Sequence, residues 1–264
     1  GDSEGFKVQS RQMLTGIASP LTFYGQLALE ALGQPLVLPA RPAAPTVEER
    51  EAALRHAGLS RALQLIELGL RSEGVREWNF SLRGMDDRAL LAAAQRACDR
   101  EIWDRCINTS ERTRTEIDLI QRFPTPMRRD VLAAARDGGV DPAFIYGLIR
   151  QESRFIMDAR SVVGASGLMQ LMPATARWTA RKIGLEYTPA MINDRDVNLR
   201  LGTAYLKMVL DDFGGAQPLA AAAYNAGPGR PRRWREGPVL DAAVWTENVP
   251  INETRDYVKK VLSN

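Results

Sequence analysis

The chain has one histidine, two cysteines and no long apolar run among its 264 residues. Those shortages exclude several kinds of chemistry. A Ser-His-Asp or Cys-His relay needs an imidazole beside its nucleophile, and His56 stands far from every motif described below and reads as a helix-surface residue. Cys98 and Cys106 have no partners at metal-ligand spacing, so neither a metal site nor a cofactor is predicted. On one helix their Cα atoms would stand about 12 Å apart, too far for a disulfide. If the chain turns near Asp99–Glu101 they face each other across a helical hairpin; two reduced, buried thiols are the default reading. No stretch reaches membrane-spanning length, which leaves the chain peripheral to a membrane at most. The start, Gly1-Asp-Ser-Glu, has neither an initiator Met nor a secretory signal, and reads as a processed protein or fragment without its targeting sequence. There is no Lys/Arg run interleaved with aromatics, which argues against nucleic acid. Gly227-Pro-Gly229 lacks the strand–loop–helix setting and the Lys of a phosphate loop.

What is present is the composition of an ordinary globular protein, 45% hydrophobic and 25% charged, with length for one or two domains. Charge is uneven. Residues 1–116 carry 15 Lys/Arg against 16 Asp/Glu, and residues 117–264 carry 20 against 16. A mildly basic second half suits an anionic polymer, although drift in an Arg-rich composition gives the same count.

The local signals are helical. Residues 22–32 read as a helix stopped by Gly33, followed by a Pro-rich connector to Pro45. Thr46-Val-Glu-Glu49 is a capping box opening a helix toward Ala57. Helices follow at 60–72, 75–82, 86–98 and 102–112, with turns at Gly58, Gly74 and Gly84. Paired Ala-rich helices predict a small superhelical array, without a countable period. Further on, Thr125-Pro126 opens a helix that Gly138-Gly139 ends, and others fit 173–183, 195–213, 217–226 and 253–262, the last with Asn252 as N-cap. On the 195–213 helix, Val197, Leu201, Ala204, Tyr205, Met208 and Val209 form a core face. Between Phe155 and Met172 there is room for a loop and at most a small β-hairpin.

Glu152 breaks this pattern. Asp141 suits an N-cap and Pro142 a first helical position, and Ile145, Leu148 and Ile149 then form an apolar stripe whose next member is Glu152. A carboxyl on such a stripe is desolvated and its pKa rises, which suits a general acid for glycosidic cleavage. By periodicity alone, a buried Glu satisfied by an Arg or by backbone reads the same way. Downstream, Gly164-Ala-Ser-Gly-Leu-Met-Gln170-Leu-Met-Pro173 places a polar Gln amid bulky apolar neighbours, with a sugar hydroxyl or acetamido group as one candidate partner. Ala221-Ala-Ala-Tyr224-Asn225-Ala-Gly227 is a small-residue helix ending in two hydrogen-bonding side chains.

Glu152-Ser153, Gly164–Gln170 and Ala223–Gly227, together with the stretches Asp196–Leu206 and Glu253–Val258, resemble the catalytic domain of the soluble lytic transglycosylases, bacterial cell-wall enzymes of the goose-type-lysozyme-like group. The resemblance implies an all-α, lysozyme-like domain over 117–264 that acts on the β-1,4 bond between N-acetylmuramic acid and N-acetylglucosamine. By motif position it places the acid on Glu152 and groove contacts on Ser161, Gln170, Met172, Tyr224, Asn225 and Glu253. More loosely, 46–116 is similar to the helical linker domain that precedes it, with 1–45 as the tail of a larger helical domain. A periplasmic location in a Gram-negative bacterium and glycan strands of peptidoglycan as partner follow, and the helical part offers a surface to other cell-wall proteins. One departure stands out: Ile156-Met157 replaces the usual Asn-Pro after Glu-Ser-x-Phe and removes a turn signal.

Glycosidases normally use two carboxylates. Here Asp158 reads as a turn residue, Glu253 as a first-turn carboxylate favourable to its helix dipole, and Glu186 and Asp194 stand in no motif for activating water. A single acid fits intramolecular closure by the C6 hydroxyl to a 1,6-anhydro product, with Tyr224 and Ser161 as candidates for holding Glu152 or the sugar. The alternatives are a muramidase that hydrolyses the same bond and a non-catalytic glycan-binding scaffold.

Overall fold

The computed structural model describes the backbone of residues 2–264 and the side chains from Glu4 onward. It is all-α, as expected: among the described residues the only β pairing is two isolated antiparallel bridges, Arg160 to Ser166 and Ser166 to Leu171. The chain divides into two compact units. One comprises residues 1–38, 127–153 and 157–264, and the other 39–126 and 154–156.

α1 (Asp2–Ile17) and α2 (Phe23–Ala31) come first, α2 capped by the Thr22 side chain, and both belong to the first unit. An extended connector leads to the second unit, built from α3 (Val47–Arg55), α4 (Ala57–Glu67), α5 (Arg71–Ser81), α6 (Asp87–Asp99), α7 (Trp103–Ser110) and the short α8 (Leu119–Arg122). Its core gathers Leu59, Leu63, Leu90, Ala93 and Ala97 around a fully buried Trp78, whose indole N–H donates to Thr109 Oγ1 at 2.8 Å. The capping box predicted at Thr46 and Glu49 is present in both directions.

Several local expectations fail here for identifiable reasons. Gly58 and Gly74 are not turns; they lie inside α4 and α5. A Cβ at Gly74 would stand 2.7 Å from the Ala62 carbonyl oxygen, so this glycine serves the close approach of the two helices. His56 is a hinge residue rather than a helix-surface one: it ends α3 and its Nδ1 accepts the Leu59 N–H at the start of α4. The default of two reduced cysteines is overturned by a Cys98–Cys106 disulfide with Cα atoms 4.9 Å apart. The chain does turn where a hairpin requires it, because Glu101 adopts a left-handed conformation (φ 57°) between α6 and α7.

The first unit resumes with α9 (Arg128–Gly138), α10 (Pro142–Glu152), α11 (Pro173–Lys182), α12 (Arg195–Asp212), α13 (Gln217–Ala226), α14 (Gly229–Trp234), α15 (Ala242–Glu247) and α16 (Asn252–Ser263). α9 begins at Arg128 rather than at Thr125-Pro126, and α16 is entered from Ile251 without a side-chain cap, not from Asn252. α8, α14 and α15 were not foreseen. α10 is the central element, packed against α9 and α16, while α12 packs on α9 and α13. On α12, Leu201 and Val209 are buried as predicted, but Asn198, Gly202 and Thr203 are buried with them. α2 is tied down by Tyr24, whose hydroxyl donates to Glu247 Oε1 (2.5 Å) and accepts from Lys259 Nζ (2.8 Å).

Candidate active site

Asp141 caps α10 by accepting the Ala143 N–H, and Pro142 occupies the first turn, as its sequence requires. The helix buries Phe144, Ile145, Leu148 and Ile149 and ends at Glu152, which therefore projects from a dry stripe. Its carboxyl pKa is raised to about 7, the net result of burial, which raises it, a hydrogen bond from Tyr257, which lowers it, and the charge of Glu253, which raises it. The Tyr257 hydroxyl, on α16, donates to Glu152 Oε1 at 2.6 Å. Tyr257 and Tyr224 are both buried and their pKa values are pushed well above the usual phenol value, first by burial and then by the Glu152 charge. Both stay protonated and able to donate.

Tyr224 is not the residue that holds Glu152. Its hydroxyl donates to the Met169 carbonyl at 2.8 Å, fixing the loop opposite, and Tyr257 takes the place the sequence reading gave to Tyr224 or Ser161. Ser161 instead closes its own turn: its Oγ accepts the Ala165 N–H, and its backbone N–H donates to the Ala165 carbonyl. Gln170, at φ 47°, donates its amide to the carbonyls of Ala159 and Gly167, so its polar group is satisfied by the small hairpin first. Its amide oxygen accepts no hydrogen bond among the described residues. Met172 precedes α11 and is 41% exposed. Asn225 accepts from the Thr254 hydroxyl at 2.8 Å, joining the end of α13 to the first turn of α16, where Glu253 is exposed.

The structure thus brings Glu152, Tyr224, Tyr257 and Glu253 into electrostatic contact, and joins Gln170, Met172 and Ser161 through one loop. Two residues organise this arrangement without having been singled out. Tyr257 was visible only as a member of a motif, one turn after Glu253. Asn198 is buried on α12, where its Oδ1 accepts the Met169 N–H and its Nδ2 donates to the carbonyls of Ser166 and Ile192. A polar residue within an otherwise apolar face was the available signal. The missing Asn-Pro turn is replaced by left-handed backbone at Arg154 (φ 48°) and the buried Phe155 (φ 67°), so the chain leaves α10 sharply all the same.

The other carboxylates do not complete a pair with Glu152. Asp158 and Glu186 are exposed, and Asp194 caps α12 through the N–H groups of Asp196 and Val197. Among the described residues no group of His, Cys, Asp and Glu could hold a metal ion, and no helix is long and apolar enough to cross a membrane.

Residues 131–239, Glu152 among them, match the transglycosylase SLT domain family. Over nearly its whole length the chain is also similar to soluble lytic transglycosylases. It is 29% identical over 263 residues to the soluble lytic murein transglycosylase of Salmonella typhimurium, covering 98% of this chain and 40% of the relative. An inactive mutant of lytic transglycosylase Slt from Pseudomonas aeruginosa superposes with a TM-score of 0.85 at 38% identity, over 96% of this chain and 42% of that one. The 70 kDa soluble lytic transglycosylase from Escherichia coli gives a TM-score of 0.83 at 27% identity, over 98% and 42%. The chain therefore spans about two fifths of the length of these relatives.

Proposed function

We propose that this chain carries the catalytic part of a peptidoglycan lytic transglycosylase. The substrate is the β-1,4 bond between N-acetylmuramic acid and N-acetylglucosamine. The observation that carries this reading is a carboxyl poised near neutrality at Glu152, hydrogen-bonded to Tyr257. Such a group is protonated in a large share of molecules at neutral pH and can donate to the leaving glycosidic oxygen. As the C1–O bond breaks, positive charge builds on the muramoyl ring, and the substrate's own acetamido group stabilises it. The Glu152 carboxylate then takes the proton from the C6 hydroxyl, whose oxygen closes on C1 to give the 1,6-anhydro sugar. That closure is intramolecular, and its high effective molarity makes a second base unnecessary. Tyr257 holds the carboxyl in place, while Gln170, Asn225, Met172, Tyr224, Ser161 and Glu253 line or support the sugar site. In this reading the helical residues 46–116 are the linker domain that precedes the catalytic residues 117–264 in sequence.

The Cys98–Cys106 disulfide supports an oxidising compartment, the periplasm for a Gram-negative relative of the enzymes named above. Mass spectrometry of digested peptidoglycan tests the reaction type. Products lighter by one water than a reducing-end muropeptide are expected; reducing ends would select a muramidase, and no cleavage would leave only glycan binding.

A further inference from the structure

Beyond Met172, α11 carries a feature that the acid chemistry does not use. The helix ends at Lys182, the chain turns through Gly184 (φ 66°), and the Leu185 N–H donates to the Ala180 carbonyl at 2.9 Å. This folds residues 185–187 back over the last turns and leaves a cleft of about 360 Å³ lined by Ala174, Arg177, Ala180, Arg181, Leu185 and Tyr187. Arg177 and Arg181 stand four residues apart on one helix face, where like charges repel. Neither has a carboxylate partner among the described residues, whereas Arg61 pairs with Glu77 and Arg232 with Asp212. The other described cavities include acids in their walls: Glu49 and Asp86 in one, Glu30 in another, and Asp130, Asp137 and Asp196 in a third. This one has none. Its third polar group, the half-buried Tyr187 phenol, is kept in its neutral, donating form because burial raises its pKa. Every charged or phenolic group in the cleft is therefore a donor.

We propose that this cleft binds a carboxylate of the peptide stem carried by the glycan, with Arg177 and Arg181 as its donors. The inference rests on the transglycosylase reading, because that reading supplies the polymer. Planar guanidinium groups match carboxylate geometry better than a point charge does. The negative charge of such a polymer sits on its peptide stems, since the muramoyl lactyl carboxyl is consumed in the amide that attaches them. Reach agrees as well. At about 1.5 Å of rise per residue, Arg177 and Arg181 lie about 8 and about 14 Å along α11 from Met172. A fully extended stem of four residues spans at most about 14 Å.

The test uses the Arg177→Gln/Arg181→Gln double variant on two substrates, peptidoglycan strands with intact stems and strands stripped of them by an amidase. The parent should show a KM roughly tenfold or more lower on intact strands, the worth of a lost charge-assisted contact. The variant should lose that advantage while its kcat, and its KM on stripped strands, stay at parental values. No change on either substrate, or equal loss on both, would overturn the proposal. A second readout is independent of turnover: calorimetry on the Glu152→Gln protein with a free stem tripeptide and, separately, inorganic phosphate. Tripeptide binding abolished by adding the double substitution supports the assignment, whereas phosphate binding as tightly as the tripeptide would overturn it in favour of a phosphate-bearing ligand. If the parent cleaves neither substrate the transglycosylase reading itself fails, and the calorimetry still decides whether the cleft takes the peptide.

Discussion

The proton on Glu152 is governed by three local effects of different sign. Burial favours the neutral acid, the Tyr257 hydroxyl favours the carboxylate, and the nearby Glu253 charge favours the acid again. Removing one effect at a time gives distinct outcomes. With a pKa of about 7 and the acid form needed to begin, kcat/KM should fall as pH rises through about 7. Tyr257→Phe removes a bond to the charged form, so that alkaline limb should move upward by on the order of one pH unit. A limb that stays put, measured on purified glycan strands, would mean that Tyr257 does not tune the acid. Stability follows the same sign. Below the ordinary carboxyl pKa of 4.5 both folded and unfolded states hold the proton and Glu152 costs nothing. Between 4.5 and about 7 only the folded state keeps it, so the penalty grows, and it is complete above about 7. Denaturant melts of Glu152→Gln should thus match the parent at pH 4 and exceed it at pH 8 by up to about 3 kcal/mol. At this scale the desolvated carboxyl of Glu152 was legible because it interrupts an apolar stripe. Tyr257 was not, because its partner lies 105 residues away and no local periodicity announces it.

The loop from Ala159 to Met172 owes its shape to α12 more than to its own residues. Asn198 satisfies three backbone groups in or beside it, the Met169 N–H and Ser166 carbonyl buried and the Ile192 carbonyl partly so, and Gly202 admits Met169, whose Sδ would lie 2.3 Å from a Cβ there. Asn198→Ala would leave those groups unpaired, at about 1–3 kcal/mol for each that water cannot reach. We expect a loss of at least about 3 kcal/mol in chemical denaturation, accompanied by reduced turnover as Gln170 and Met172 shift. A variant that melts like the parent would show that the clamp is dispensable. Helices at this scale were legible where caps and stops are chemical: Thr46 with Glu49, Asp141 with Pro142, Gly139 and Gly227. They were misread where a glycine serves contact instead of a turn, as Gly74 does against Ala62. The Cys98–Cys106 pairing was open in sequence, because it depends on one left-handed residue, Glu101, that spacing does not reveal.

On the scale of the molecule, the residues around Glu152 all come from one compact unit, while the disulfide lies in the other. Reduction of Cys98–Cys106 releases a short loop and should lower the stability of the helical unit by about 2.5 kcal/mol, read as a shift in its unfolding transition under dithiothreitol. That the chain is helical throughout was readable from its caps, stops and periodicity. The inclusion of α2 in the same unit as Glu152 was not, since it hangs on Tyr24 meeting Glu247 and Lys259 across more than 200 residues. The account as a whole stands on Glu152 as the acid. Turnover of Glu152→Gln on purified glycan strands, set beside its binding to the same strands, tests this most directly. Binding should persist while turnover falls by about 10⁴ or more, since the same group serves as acid and then as base. Turnover above about a tenth of the parental value would contradict it and send the search for the acid to Asp158 or Glu253.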